Sequence, residues 1–331
     1  MNKTKSKKLQ DFLINNGVII IMFVLVIVTG ISKSNFLTWN NANNILLNMS
    51  YRLVIALGIA GCVITGGCDL SAGRLIGMGG CIAGTLLQRL DYSGKFELFK
   101  DMPPMNVFLA ALVVMAICAF FGTITGLFIA YLNVPPFIAT LAMMEIVYGL
   151  NLIYTNATPL GGYTEQYTNV SNGRFLGINY LIWIAVVVAA ITWFIFNMTR
   201  HGKYMYAIGG NLQAAEVAGV PVKMTLVLIY MKAAAMYGLA GFMLGAKSGG
   251  ASVNLGLGYE MEAIAACTIG GVSVTGGRGK VSSAIVGVAV FELLKAALQF
   301  LGVDANAQYI AIGIIIFIAI SLDIRKYVVR K

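Results

Sequence analysis

Charge is scarce in this chain. Only 11% of its 331 residues are Asp, Glu, Lys or Arg, where soluble domains carry about 25%. Hydrophobic residues make up 59%. That balance excludes an ordinary soluble domain and identifies a polytopic membrane protein. Histidine is nearly absent: His201 stands alone, which rules out a histidine-rich metal site or an HExxH helix. No GxSxG turn is present, so a nucleophile elbow is excluded. The five cysteines, Cys62, Cys68, Cys81, Cys118 and Cys267, lie in or beside apolar segments with no CxxC spacing, and read as small packing residues. The formal net charge of +10 comes without a basic stripe interleaved with aromatics, so no nucleic-acid partner is expected. Nothing calls for a cofactor or supports catalysis by this chain.

What is present is a succession of apolar runs. Spans are expected at 17–32, 50–67, 73–90, 107–131, 137–155, 180–197, 224–247, 262–277, 282–301 and 308–323, about ten in all, several of them short for the ~20 residues a crossing needs. The basic start MNKTKSKKLQ precedes an apolar run with no small-residue cleavage pattern after it, so the first helix is expected to be retained, with its start inside. From that start, 14 of the 23 Lys and Arg residues fall on the cytoplasmic side, as the positive-inside rule requires. The expected organisation is a cytoplasmic lead-in at 1–16, one membrane domain over 17–323 and a cytoplasmic tail at 324–331. Both termini are then inside. Glycine is plentiful, at 38 residues, which suits close helix packing and helix breaks alike. The segments 59–67 and 269–277 share Ile, Gly and a closing Thr-Gly-Gly, a faint internal repeat of the kind duplicated transporters carry.

The one long stretch that reads like soluble protein is Thr199–Lys223, TRHGKYMYAIGGNLQAAEVAGVPVK. Asn211 suits a helix N-cap, Leu212–Ala218 the helix, Gly219 the left-handed C′ position, and Pro221 bars continuation. Ala214, Ala215 and Ala218 give the short helix a small face. It fits either insertion into a partner's cleft or a connector lying on its own membrane domain. Asp69 or Ser71 is positioned to cap the third span. Pro135 and Pro136 can open the fifth. Glu145 is the deepest acidic residue, and an intramembrane carboxylate is a pathway candidate by default. Glu145, Tyr148 and Asn151, spaced by three, are expected on roughly one face, as a polyol pathway or as an interhelical packing contact. Glu292 and Lys295 are expected to neutralise each other. The stretch Gly276-Gly277-Arg278-Gly279-Lys280 fails as a phosphate loop, because Val274 and Val281 stand where Gly and Ser or Thr are needed. The residues alone leave open a partner-driven transporter or a proton- or sodium-coupled one using Glu145 and Lys232.

Four segments in colinear order, GGCDLSAGRLIGMGG, NVPPFIATLAMMEIVYGLN, YAIGGNLQAAEVAGVPV and GYEMEAIAACTIGGVSVTGGRGK, resemble the permease subunits of bacterial ribose- and galactoside-type ATP-binding-cassette sugar importers. The acidic outer segment DYSGKFELFKDMPP and the sequence around 147–154 are most similar to the galactose/methyl-galactoside branch. The resemblance implies a homodimeric pore in the inner (cytoplasmic) membrane, a cytoplasmic ATPase with two nucleotide-binding cassettes, and an external sugar-binding protein. It also implies that Gly209, Gly210, Asn211, Ala214, Ala215, Gly219 and Val220 dock the ATPase.

Overall fold

The computed structural model describes residue 20 and residues 22–328. The expected lead-in at 1–16 and the last three residues of the expected tail lie outside the described residues. The described chain is an assembly of helices: α1 (Met22–Ser32), then α2 (Trp39–Ile64), α3 (Ala72–Leu86), α4 (Val107–Tyr131), α5 (Pro136–Thr155), α6 (Glu165–Asn172), α7 (Tyr180–Met198), α8 (Arg200–Gly210), α9 (Leu212–Val217), α10 (Val222–Ser248), α11 (Tyr259–Ile269), α12 (Val281–Phe300) and α13 (Ala305–Val328). The one named sheet among the described residues is a two-stranded hairpin that pairs Arg174 with Asn179 and Phe175 with Ile178. Among the described residues six helices, α2, α4, α5, α7, α10 and α12, are long and apolar enough to cross a membrane. The shorter or partly masked α1, α3, α11 and α13 fall on the remaining expected spans. The chain is an all-α polytopic membrane protein, and the five free cysteines are unpaired as expected.

Two spans differ from expectation, each for a local reason. The second was expected from residue 50, yet α2 begins at Trp39. Thr38 caps it, accepting from the Asn41 amide, and the asparagine-rich turns that follow are helical although too polar to register in a hydropathy reading. The span expected at 262–277 is a half-length helix. The chain leaves α11 after Ile269 through Gly270-Gly271, with Val272 N–H bonded to the Cys267 carbonyl (2.9 Å) and Gly271 at φ +99°. This is a Schellman exit. The end of α2 repeats it: Gly67 N–H bonds the Cys62 carbonyl at 2.9 Å and Gly66 sits at φ +79°. The structural repeat therefore pairs Cys62 with Cys267 and Gly66 with Gly271. The expected alignment, which paired Gly66 with Gly276, is out of register by five residues.

The core lies on α2 and α10. Over the most apolar stretch of α2, 78% of residues are buried, against 22% in α4, α5 and α7. Those three helices turn large faces outward, to lipid or another chain. α10 packs along α4, α3 and α2. The approach to α4 is close because Gly122 and Gly126, four apart, lie against the α10 backbone at Tyr230 and Val227. Small residues at that spacing let backbones meet where lipid supplies no hydrophobic drive.

Candidate functional site

The soluble-like segment folds into two short helices. Thr199 caps α8, its Oγ1 accepting from Gly202 N–H at 3.2 Å. Asn211 then ends α8 and starts α9, with Oδ1 accepting from the Ala214 amide at 2.9 Å. Gly219 takes the left-handed conformation, φ +79°, and the chain turns into α10 behind Pro221. The caps and the glycine stand where the sequence placed them. The helix closes one residue earlier than expected, with Ala218 as its C-cap. On α9, Ala214, Glu216 and Ala218 are exposed, as are Gly210, Asn211 and Gly219. Val217, which the sequence reading passed over, is 90% exposed. Val220 is half-buried.

Ala215 departs from the expected small outer face. It is buried with Ile208 and Val222, and with Val220 and Leu226 around them, so it anchors α9 onto the chain's own body. Gly209 is likewise turned inward. A Cβ there would lie 2.5 Å from Gly277 N and 2.9 Å from the Ile64 carbonyl carbon, and would overlap the Ile64 oxygen. That oxygen accepts from Gly277 N–H at 2.8 Å. Gly276 packs on the Gly209 carbonyl and on Gly66, and the Tyr206 hydroxyl donates to the Gly279 carbonyl at 2.8 Å. The ends of α2, α8 and the loop after α11 thus meet backbone to backbone directly beside α9. In this loop His201 is half-buried; burial, and then the nearby Lys232 ammonium, push its imidazole down to about 4.

The three α5 residues do not share a face. Steps of three, taken twice, swing a side chain some 120° around a helix of 3.6 residues per turn. Glu145 is exposed, Tyr148 is half-buried, and Asn151 is buried with Nδ2 against Cys81 Sγ (3.7 Å). Tyr148 carries the Arg74 guanidinium over its ring, 3.8 Å from the centroid, and Arg74 also donates to Asn254 Oδ1 at 3.0 Å. Lys232 lies beside His201, and neither it nor Glu145 is in an ion pair among the described residues. Asp69, 2% exposed, accepts from Ser71 N–H (3.0 Å) and Oγ (2.6 Å) and lies next to the Tyr237 hydroxyl. It supports the start of α3, while Ser71 in the N-cap position makes no side-chain cap bond.

The sequence reading missed an ion network inside the membrane domain. Arg52 of α2 reaches Glu292 of α12 at 2.5 Å and Glu262 of α11 at 3.0 Å, and Lys295 reaches Glu262 at 2.5 Å. The Arg52 guanidinium also lies 4.9 Å over the Tyr259 ring. Glu292 and Lys295, expected to pair, are each turned to another helix. With two cations and two anions the network is neutral, and it ties three helices together in low dielectric. Arg52 fell three residues inside an expected span, and its presence there was the available signal.

Buried helices around intramembrane charges, with a short exposed helix on a connecting loop, are an arrangement suited to a membrane transport protein. Comparison with known proteins narrows the class. The chain belongs to the family described as branched-chain amino acid transport system/permease component, whose model matches residues 41–320. It is 40% identical, over the full length of both chains, to the galactose/methyl galactoside import permease protein MglC of Escherichia coli strain K12. It is 36% identical to the protein of that name from Treponema pallidum, covering 97% of this chain and 64% of that one. To the ribose import permease protein RbsC of Escherichia coli strain K12 the identity is 32%, covering 96% of each. No solved structure matches.

Proposed function

We propose that this chain is the membrane-spanning subunit of an importer for a hexose, galactose or a methyl galactoside, driven by a separate ATPase. The full-length identity of 40% to a galactose/methyl galactoside import permease carries the reading; the lower identity to a ribose permease favours the hexose over a pentose. Two copies form the pore in the bacterial inner membrane, with both termini and the 199–223 loop in the cytoplasm. A sugar-binding protein delivers the substrate from outside. An ATPase with two cassettes grips the exposed residues of the loop: Gly210, Asn211, Ala214, Val217 and Gly219. Ala215 and Gly209 serve the same docking from behind, by fixing α9 to the body and to the ends of α2 and the α11 loop. ATP binding and hydrolysis in the partner move α9, and the junction passes the movement to α2 and to the loop after α11. The exposed side of α5 with Glu145, and Tyr148 with Arg74, lies along the sugar's path; Asn151 braces α5 against α3.

The test is reconstitution of the chain with its ATPase and binding protein in liposomes. Galactose uptake should require ATP and persist when an uncoupler collapses the proton gradient. Uphill accumulation by the chain alone, or loss of uptake on uncoupling with ATP present, would sink the reading.

A further inference from the structure

A second polar feature lies at the opposite end of α2. Asn40, Asn44 and Asn48 recur every four residues and form one stripe on the helix. With Lys247 at the end of α10 and Gln299 and Phe300 at the end of α12, they line a cavity of about 600 Å³, within the size range of small-molecule sites. A row of carboxamides in a membrane domain is held at low cost only where something polar, water or a ligand, meets it. The protein supplies only part of that. Asn48 Oδ1 accepts from the Lys247 ammonium and faces the Tyr51 hydroxyl at 3.4 Å. Asn41, beside the stripe, spends its Nδ2 on the Phe36 carbonyl at 2.8 Å. The side chains of Asn40, Asn44 and Gln299 are exposed along the cavity and enter no side-chain hydrogen bond among the described residues.

The chemistry of the lining selects among ligands. Among the described residues no carboxylate lines the cavity, so nothing in its lining calls a cation. Its single ammonium is already engaged by Asn48, which leaves little for an anion. Each free carboxamide presents two donors and an acceptor, the complement of neighbouring hydroxyls that both donate and accept. Phe300, packed edge-on against Phe36 at 5.3 Å, gives one wall an apolar surface for C–H groups. One turn beyond Asn48 on the same helix comes Arg52 of the ion network.

We propose that this cavity is a low-affinity site for a neutral monosaccharide, occupied between release by the external protein and entry into the bundle. It rests on the orientation given above, which places the start of α2 outside. The free carboxamides of Asn40, Asn44 and Gln299 bind the hydroxyls, and Phe300 meets the apolar side of the ring.

The experiment uses the complete transporter in right-side-out vesicles, with Asn44→Cys labelled by a membrane-impermeant maleimide and galactose as the probe. Galactose at ten times its half-protecting concentration should slow labelling about tenfold, while inorganic phosphate leaves the rate unchanged. Leu46→Cys, on the apolar side of α2, should be indifferent to both. Gln299→Cys, across the cavity, should repeat the protection and serves where Asn44→Cys fails to insert. Equal rates with and without galactose, protection by phosphate instead, or no labelling from outside would each overturn the proposal. Protection by galactose in vesicles whose native transporter shows no ATP-driven uptake would keep this site and remove the importer reading.

Discussion

Gly209→Ala isolates the mechanical step from docking. The added methyl has to fit 2.5 Å from Gly277 N and 2.9 Å from the Ile64 carbonyl carbon, where ordinary van der Waals contact between heavy atoms lies near 3.5–4.0 Å. Both neighbours are backbone, so no side chain can swing aside. Because the methyl also overlaps the Ile64 oxygen, the α2 end and the 276–279 loop have to draw back from α8 by at least about 1 Å, a displacement on the scale that makes overpacked sites cost about 1–3 kcal/mol. The separation also strains the Gly277 N–H to Ile64 carbonyl bond, now 2.8 Å and worth about 1 kcal/mol. Gly210→Ala is the control. It is the next residue, and its added methyl meets nothing within 4 Å.

Two measurements on the purified chain and its complex read this out. For the isolated permease, Gly209→Ala should lower the melting temperature by about 5 °C or more, as ~3 kcal/mol does in a chain of this size or smaller, with Gly210→Ala unchanged. In the assembled transporter, Gly209→Ala should keep ATPase binding, because α9 remains capped and exposed, while sugar moved per ATP falls. Native melting and native coupling in Gly209→Ala would refute the junction as a transmitting element. Loss of ATPase binding in step with transport would make it part of the docking surface instead.

Four other outcomes are expected. Asn211→Ala removes the α9 cap, about 1 kcal/mol, and should weaken ATPase binding roughly fivefold in a titration of the partner; unchanged affinity would separate the cap from docking. Arg52→Met leaves Glu262 and Glu292 without their shared cation and should destabilise by about 3–5 kcal/mol, seen as a large fall in melting temperature, while Arg52→Met with Glu292→Met should recover much of it; a mild single variant would show the network carries little. Glu145→Gln should lower sugar flux without unlinking the ATPase, and native flux would remove Glu145 from the sugar's path. His201, held near 4 against an ordinary 6.5, stays neutral in the folded chain while the unfolded chain takes up a proton. Stability is therefore full above 6.5 and falls as pH drops toward 4. His201→Gln should flatten that part of a melting-temperature profile, and an identical profile would remove the histidine from it.

The parts of this fold legible in the sequence were those with strong local chemistry. Asn211, Gly219 and Pro221 punctuate a short helix whatever surrounds them, and Pro136 opens α5 as its fixed φ allows. What was hidden depends on which residues meet across the fold. Ala215 and Ala214 are identical as letters, and only packing on Ile208 and Val222 turns one inward. Glu292 and Lys295 have the spacing of a helix pair, yet Arg52 and Glu262 on other helices hold them apart. The start of α2 was missed for the opposite reason: Asn40, Asn44 and Asn48 read as loop by hydropathy, although their spacing of four is a helical signal in its own right.

These separate observations converge on α2. Its first turns carry the carboxamide stripe, its middle carries Arg52 of the ion network, and its last carbonyls lie under Gly209. Over its 26 residues the helix is about 39 Å long at 1.5 Å per residue, and no proline interrupts it between Trp39 and Ile64. An unbroken, largely buried helix bends little, so movement imposed at Ile64 reaches the other end as tilt or translation and is not absorbed on the way. The ion network at its middle resists such movement, because Arg52 faces partners on both α11 and α12, and those helices flank the same glycine loop that touches Gly209. Pulling that loop moves both halves of the clasp together, and pulling α2 alone opens it. Under the proposed docking, the order of events in a transport cycle turns on which of the two α9 displaces first. Cross-linking α2 to α11 through paired cysteines at Ala56 and Ala266, beside the Cys267–Ala56 contact of 3.3 Å, decides it. Transport that survives the cross-link shows the two moving as one body; transport that stops while ATP hydrolysis continues shows that α2 has to slide past α11.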